Sequence, residues 1–158
     1  MPVLNCTHSG ITVADLPRAK RFYIEGLGFR TAATDTSEGH TIDADGEYGV
    51  LVSKLLEFDV PFKADIEFLN RDGMTIELVA YASPAPVPDT RRPGNYCGLT
   101  HLSFEVDDVD ATAARLMELG GKLLEHTEVI GQLGDTRQKL VFCTDPDGGA
   151  KLELRQRL

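Results

Sequence analysis

The chain has 158 residues, which fits one compact domain or two small halves that share a core, and its 26% of charged residues is typical of a globular protein. The formal net charge is −9, so the summed field repels phosphate backbones and anionic lipid, and we expect neither nucleic acid nor a membrane as partner. Three cysteines without a C-x-x-C pair predict neither a disulfide framework nor a thiolate zinc site. These features predict a cytoplasmic protein.

The first predicted element is a β-rich run from Leu4 to Val13, followed by a helix. Asp15 is placed to cap that helix and Pro17 lies in its first turn. The apolar stripe of the helix consists of Leu16, Ala19, Phe22 and Tyr23. We therefore expect a strand that runs into a helix packed on a sheet.

A predicted insertion, residues about 40–62, separates this helix from the hairpin that ends the first half. Within it, Tyr48 to Phe58 carries apolar residues at helical spacing, which predicts a short helix. The hairpin has Asp72-Gly73 in its turn, and the strand after the turn, Met74 to Tyr81, contains Glu77. Residues 82–96, which contain four prolines, are the predicted linker.

The second half follows the same plan. A strand is predicted from Leu99 to Val106, and a helix follows with the apolar stripe Val109, Ala113, Leu116 and Met117. An Asp145-Pro-Asp-Gly148 turn precedes a last strand that contains Glu153.

These two halves are an internal repeat, because landmarks recur 93 residues apart. The coincident pairs are His8 with His101, Val13 with Val106, Asp15 with Asp108, and Gly28 with Gly121. We therefore predict a first module at residues 1–81 and a second at 97–158, joined by the linker into one domain overall. Each module carries one histidine on its first strand and one glutamate on its last.

Strand parity predicts where those four side chains point. Successive side chains alternate between the two faces of a sheet. His8, Glu77, His101 and Glu153 all fall on the parity opposite the apolar residues expected to pack on the helices. A carboxylate inside an apolar strand is costly unless it is paired, and a metal ion can compensate two carboxylates and two imidazoles at once. We therefore predict that the four residues bind one divalent metal ion.

Several segments resemble the vicinal oxygen chelate superfamily of glyoxalases, bleomycin-resistance proteins and extradiol dioxygenases. They are His8-Ser-Gly-Ile-Thr-Val-Ala-Asp-Leu16, Leu27-Gly-Phe29, Thr75-Ile-Glu-Leu78, Leu99-Thr-His-Leu-Ser-Phe104, and Asp145-Pro-Asp-Gly148 with Leu152-Glu-Leu154. The resemblance implies an α+β fold of paired βαβββ modules that form a curved, partly open barrel, in a homodimer. It also implies a His/Glu/His/Glu metal site.

The resemblance implies an enzyme similar to glyoxalase I or methylmalonyl-CoA epimerase. Such a lyase, isomerase or epimerase would act on a small substrate with vicinal oxygens through an enediolate or enolate. Glu153 or Glu77 would move the proton, with Glu153 favoured by the resemblance to the epimerases. The metal is left open among Zn, Ni, Co, Mn and Fe.

Two features qualify that assignment. Thr12 stands where glyoxalase I enzymes carry an arginine for glutathione, and the insertion departs from their pattern, so lactoylglutathione is a poor candidate substrate. The substrate-binding candidates are Thr12, Tyr81, Ser103 and Arg155. A non-catalytic small-molecule binding or resistance protein, and an extradiol-type dioxygenase, are the alternatives that the sequence leaves open.

Overall fold

Two units of similar plan make up the chain, Met1–Val87 and Pro88–Leu158. The computed structural model describes residues 5–32, 40–43, 46–59, 62–87 and 97–158. The boundary between the units lies inside the stretch 82–96, of which residues 88–96 are outside the described ranges. Each unit is described separately below.

The described residues of the first unit form a five-stranded mixed sheet with two helices. Its elements are β1 Ser9–Val13, α1 Leu16–Arg21 continued by a π-helical segment Phe22–Gly26, β2 Arg30–Thr31, β3 His40–Asp43, α2 Glu47–Leu55, β4 Lys63–Arg71 and β5 Met74–Ser83. The strand order is β1-β5-β4-β2, and β3 also pairs with β4. β1 is parallel to β5, and the other pairings are antiparallel.

Helix α1 begins where the sequence predicts and packs its apolar stripe into the core. The Asp15 side chain accepts a hydrogen bond from the backbone N–H of Arg18 at 2.9 Å, which caps the first turn. The buried residues of the stripe are Ala19, Phe22 and Tyr23. An ion pair of 2.6 Å between Lys20 Nζ and Glu67 Oε1 joins α1 to β4.

The second unit repeats this plan with four strands and one helix. Its elements are β6 Leu102–Glu105, α3 Val109–Glu118, β7 Lys122–Leu133, β8 Thr136–Thr144 and β9 Lys151–Arg157. The strand order is β6-β9-β8-β7, with β6 parallel to β9. The Asp108 side chain caps α3 by accepting from the backbone N–H of Ala111 at 2.9 Å. First and last strands therefore pair in both units.

The expected α+β class and the repeated βαβββ plan are confirmed. β2 and β3 both pair with β4, so they take the place that the single strand β7 has in the second unit. The extra element of the first unit is α2, which begins one residue before the stretch 48–58 predicted to be helical and ends three residues before that stretch does. None of the helices in the described ranges is long and apolar enough to cross a membrane.

Three expectations about local structure were wrong. The strands predicted at Leu4–Val13 and Leu99–Val106 are shorter, because pairing with the parallel partner strand begins only at Ser9 and Leu102. Residues 1–4 lie outside the described part of the chain. Met117 was expected in the core but is 44% exposed, and Leu119, the residue after the end of α3, is buried instead.

Candidate metal centre

The first unit brings His8 and Glu77 together, and we call them the first His–Glu pair. His8 immediately precedes β1, and Glu77 lies on β5 opposite Gly10 of β1. His8 Nε2 is 3.3 Å from Glu77 Oε2. The other ring nitrogen, Nδ1, is 3.2 Å from the hydroxyl of Thr7, and the Phe68 ring lies edge to face against the imidazole at 5.5 Å between centroids.

The second unit repeats the arrangement with His101 and Glu153, the second His–Glu pair. His101 immediately precedes β6, and its Nε2 lies 3.8 Å from Glu153 Oε2. Its Nδ1 is 2.9 Å from the hydroxyl of Thr100, and Phe142 packs edge to face against the imidazole at 5.2 Å. The Ser103 hydroxyl also donates a hydrogen bond of 2.5 Å to Glu153 Oε2, a contact without a counterpart among the described residues of the first unit.

The hydroxyl and the phenylalanine beside each histidine were missed by the sequence reasoning. Thr7 and Thr100 are 93 residues apart, so the repeat itself carried that signal. Phe68 and Phe142 each pair across the sheet with the glutamate, a relationship that depends on strand register and is not visible in the sequence. A hydrogen bond at Nδ1 fixes the ring orientation and directs Nε2 toward the carboxylate.

The donor atoms in each pair are spaced as two ligands of one ion would be. Metal bonds to imidazole nitrogen and carboxylate oxygen of about 2.0–2.2 Å place adjacent ligand atoms roughly 3 Å apart. The 3.3 Å of the first pair matches that spacing, and the 3.8 Å of the second requires a shift of about half an ångström. Within the described residues of each unit, no group of three His, Cys, Asp or Glu side chains is placed to hold an ion.

The sequence matches the family model described as the Glyoxalase/Bleomycin resistance protein/Dioxygenase superfamily over residues 5–154. The chain belongs to this superfamily. The family membership expected from the sequence is thereby confirmed. The match covers the elements that carry both His–Glu pairs. The superfamily contains enzymes as well as resistance proteins, so membership does not choose between them.

Two curated relatives of this superfamily member are each 31% identical to it. The protein YaeR of Escherichia coli (strain K12), which is uncharacterised, aligns over 89% of this chain and 88% of its own length. A 2-epi-5-epi-valiolone epimerase from an Actinomyces species aligns over 93% of this chain and 76% of its own length.

Solved structures with the same fold cover nearly the whole chain. A glyoxalase family protein from Bacillus cereus gives a TM-score of 0.74 at 22% identity, with 100% of this chain and 97% of that chain covered. The fosfomycin resistance protein FosX of Mesorhizobium loti gives a TM-score of 0.57 at 16% identity, covering 97% of this chain and 91% of its own. At these identities the likeness shows the fold alone.

The predicted substrate-binding residues of this superfamily member lie in different surroundings. Thr12 is exposed on β1, beside Val79 of β5. Ser103 contacts Glu153 as described above. Arg155 is half-buried on β9, where its guanidinium donates a hydrogen bond of 2.8 Å to the side-chain oxygen of Gln138.

Tyr81 is part of an aromatic cluster on the Glu77 side of the sheet. Its ring packs edge to face against Phe58 at 5.3 Å and against Phe62 at 6.1 Å between centroids. Burial, and after it the charge of Glu77, raise the pKa of the Tyr81 phenol. The hydroxyl therefore stays protonated and can donate a hydrogen bond at neutral pH.

The face of the sheet that carries Glu77, opposite the residues expected to pack on the helices, is itself covered for part of its length. Val79, on the same face as Glu77, is buried in a cluster with Ile42, Phe62, Ala64 and Ile66. Val52 of α2 and Phe58, just after it, pack against this cluster. The inserted segment therefore covers the part of this face around Val79, whereas Glu77 and His8 remain partly exposed.

Proposed function

We propose that the two His–Glu pairs hold one divalent metal ion, and that the protein is a metal-dependent isomerase, epimerase or lyase for a small substrate with vicinal oxygens. The observation that carries the proposal is the duplicated pair, in which Nε2 of each histidine faces a carboxylate at 3.3 or 3.8 Å. Zn, Ni, Co, Mn and Fe all suit two imidazoles and two carboxylates.

The surroundings of the pairs support a preorganised site. The side chains of Glu77 and Glu153 are only 21% and 17% exposed, whereas those of the histidines are 39% and 34% exposed. The threonine hydroxyls at Nδ1 and the phenylalanine rings restrict the orientation of both imidazoles. Such surroundings lower the entropy that is lost when an ion binds.

A bound divalent ion would supply a Lewis acid that stabilises the negative charge of an enolate oxygen. The proton is moved by the chain's own groups, Glu153 or Glu77. A carboxylate oxygen removes hydrogen from the carbon next to a carbonyl, the C–H electron pair forms the enolate, and protonation at the other face or at the neighbouring carbon completes the reaction. No oxidant or reductant is needed.

A hydroxy ketone is the substrate type that we would test first. The curated relative at 31% identity is named as an epimerase of 2-epi-5-epi-valiolone, which supports epimerisation next to a carbonyl. Thr12, in place of a cationic side chain, supports a substrate without the glutathione carboxylates. We propose that Thr12, Tyr81, Ser103 and Arg155 contact the substrate.

The same proposal includes a homodimer that acts in the cytoplasm. Cys6, Cys97 and Cys143 are all free, as expected in a reducing compartment. Size-exclusion chromatography with light scattering and fractionation of cells test these two points. A monomer, or a secreted protein, would contradict them.

The test of the function is deuterium exchange followed by NMR. Protein loaded with Zn²⁺ or Co²⁺ is incubated in D₂O with 2-epi-5-epi-valiolone, and we expect deuterium to enter the carbon next to the carbonyl. The double variant Glu77→Gln/Glu153→Gln should lose this exchange, and Glu118→Gln, an exposed glutamate on α3, should retain it. Binding without exchange would indicate a non-catalytic resistance protein, and oxygen uptake with a catechol in the Fe²⁺ form would indicate a dioxygenase.

A further inference from the structure

The two His–Glu pairs differ in one contact at equivalent positions of the repeat. In the second unit, Ser103 pairs across the parallel strands with Glu153 and donates a 2.5 Å hydrogen bond to its Oε2. In the first unit, the position that pairs with Glu77 is Gly10, which lies 93 residues before Ser103. A hydroxyl therefore holds Glu153, but the equivalent position beside Glu77 has no side chain.

The distances within the two pairs agree with this difference. Glu153 Oε2, bonded to Ser103, is 3.8 Å from its histidine, whereas Glu77 Oε2 is 3.3 Å from its own. A hydroxyl donor to a carboxylate makes a charge-assisted hydrogen bond, which is short and strong and restricts the carboxylate to one orientation. Among the described residues, no hydroxyl group donates a hydrogen bond to Glu77.

Resting on the proposed function, we infer that Ser103 is a positioning residue that fixes Glu153, and that Glu77 is the carboxylate that moves to take the proton from the substrate. A base has to approach the substrate carbon and withdraw again, which a carboxylate held by a neighbouring hydroxyl does less readily. In the step itself, a Glu77 oxygen accepts the proton and the C–H electron pair becomes part of the enolate. Glu77 then returns the proton to the neighbouring carbon, which gives isomerisation, or water delivers a proton to the opposite face of the same carbon, which gives epimerisation. Glu153 keeps its place throughout.

The repeat supplies a matched exchange of the two residues. A Cβ atom built on Gly10 would lie 3.6 Å from Glu77 Oε2, an ordinary contact distance, and the φ angle of Gly10 is not among the positive ones. A serine at position 10 thus fits the backbone and places a hydroxyl beside Glu77, as Ser103 does beside Glu153. Gly10→Ser and Ser103→Gly each change one unit, and their combination moves the hydroxyl from one glutamate to the other.

The experiment combines Co²⁺ titration of the metal-free protein with the deuterium exchange described above. Ser103→Ala and Ser103→Gly should weaken Co²⁺ binding about tenfold, because Glu153 is no longer held. Gly10→Ser should bind Co²⁺ at least as tightly as the wild type, yet exchange deuterium at least about tenfold more slowly, because Glu77 is now held. Ser53→Ala, which removes a hydroxyl from α2, is the control and should change neither value.

In Gly10→Ser the Co²⁺ affinity should be kept or raised while deuterium exchange slows, a combination that a general loss of structure would not give. Unchanged Co²⁺ affinity in the Ser103 variants, or unchanged exchange in Gly10→Ser, would overturn the inference while leaving the proposed function intact. A wild-type protein that binds no Co²⁺ would overturn both. Circular dichroism and unfolding midpoints of the metal-free variants identify any variant that fails to fold. If Gly10→Ser fails to fold, Gly10→Thr is used instead, because it also places a hydroxyl at position 10.

Discussion

Phe58 and Tyr81 pack edge to face with their ring centroids 5.3 Å apart, on the side of the sheet that carries Glu77. Phe58 comes from the inserted segment, where its backbone N–H donates to the carbonyl of Ser53 at the end of α2. Tyr81 comes from β5, four residues after Glu77. The insertion therefore forms part of a wall on the face of the sheet that carries Glu77 and is not a separate appendage.

Removing the Phe58 ring should loosen this wall. Phe58 is half-buried, so we expect Phe58→Ala to lower the free energy of unfolding by about 2 kcal/mol, below the cost of a fully buried phenylalanine. Tyr81→Phe keeps the ring and should change stability by less than about 0.5 kcal/mol. Urea unfolding of metal-free protein measures both values. Equal effects of the two substitutions would contradict the packing role of the rings.

Removing Lys20 from its ion pair with Glu67 should cost more stability than removing Glu67. Glu67 is 7% exposed, and the Lys20 side chain is 37% exposed. Lys20→Met leaves a buried, unpaired carboxylate and should cost about 1–3 kcal/mol. Glu67→Gln should cost less, because Lys20 can still reach water. The double variant Lys20→Met/Glu67→Gln should be more stable than Lys20→Met alone, and urea unfolding that ranks it lower would refute this account.

Asp145 should make the stability of the fold depend on pH. It is fully buried in the β8–β9 turn, where Oδ1 accepts from the backbone N–H groups of Gly149 and Ala150 while Oδ2 has no hydrogen-bond partner. Burial raises the pKa of this carboxyl from 3.8 to about 6. Its folded pKa exceeds its unfolded one, so its contribution is fully present below pH 4 and is lost as pH rises through about 6.

The variant Asp145→Asn cannot ionise and should escape that loss. We expect the stability of Asp145→Asn relative to wild type to rise by about 2 kcal/mol between pH 4 and pH 7. Urea unfolding at a series of pH values measures the difference. Asp135→Asn, an exposed aspartate in the β7–β8 turn, serves as control and should give a flat difference. A flat difference for Asp145→Asn as well would show that the carboxyl is not desolvated.

The threonines beside the histidines should influence metal affinity without binding the ion. Thr100→Val keeps the side-chain shape but removes the hydroxyl that lies 2.9 Å from His101 Nδ1. Zn²⁺ affinity, measured by competition with a chromophoric chelator, should fall about tenfold, and Thr7→Val should act in the same direction. The control Thr31→Val, on the exposed strand β2, should have no effect. Unchanged Zn²⁺ affinity in Thr100→Val would contradict the proposal that the Thr100 hydroxyl orients His101.

The sequence predicted the repeated plan of the units, because histidine, cap and turn recur at matching positions, and in each unit the predicted histidine and glutamate lie beside each other. Strand parity also predicted that the apolar residues flanking Glu153 pack in the core, and Leu152 and Leu154 are fully buried. The burial of Val79 was not predicted, since it depends on where the insertion folds back. The Ser103 contact with Glu153 was likewise hidden, because only the parallel register of β6 and β9 brings those residues together. That the four ligands share one ion remains a prediction.

Counting ions per chain tests that central claim most directly. Protein purified without an affinity tag is equilibrated with Zn²⁺, dialysed, and analysed for metal and protein. We expect one Zn²⁺ per chain in the wild type and almost none in either His8→Ala or His101→Ala, since both pairs are needed for the same ion. Two ions in the wild type with one left in each variant, or no bound metal at all, would contradict the claim.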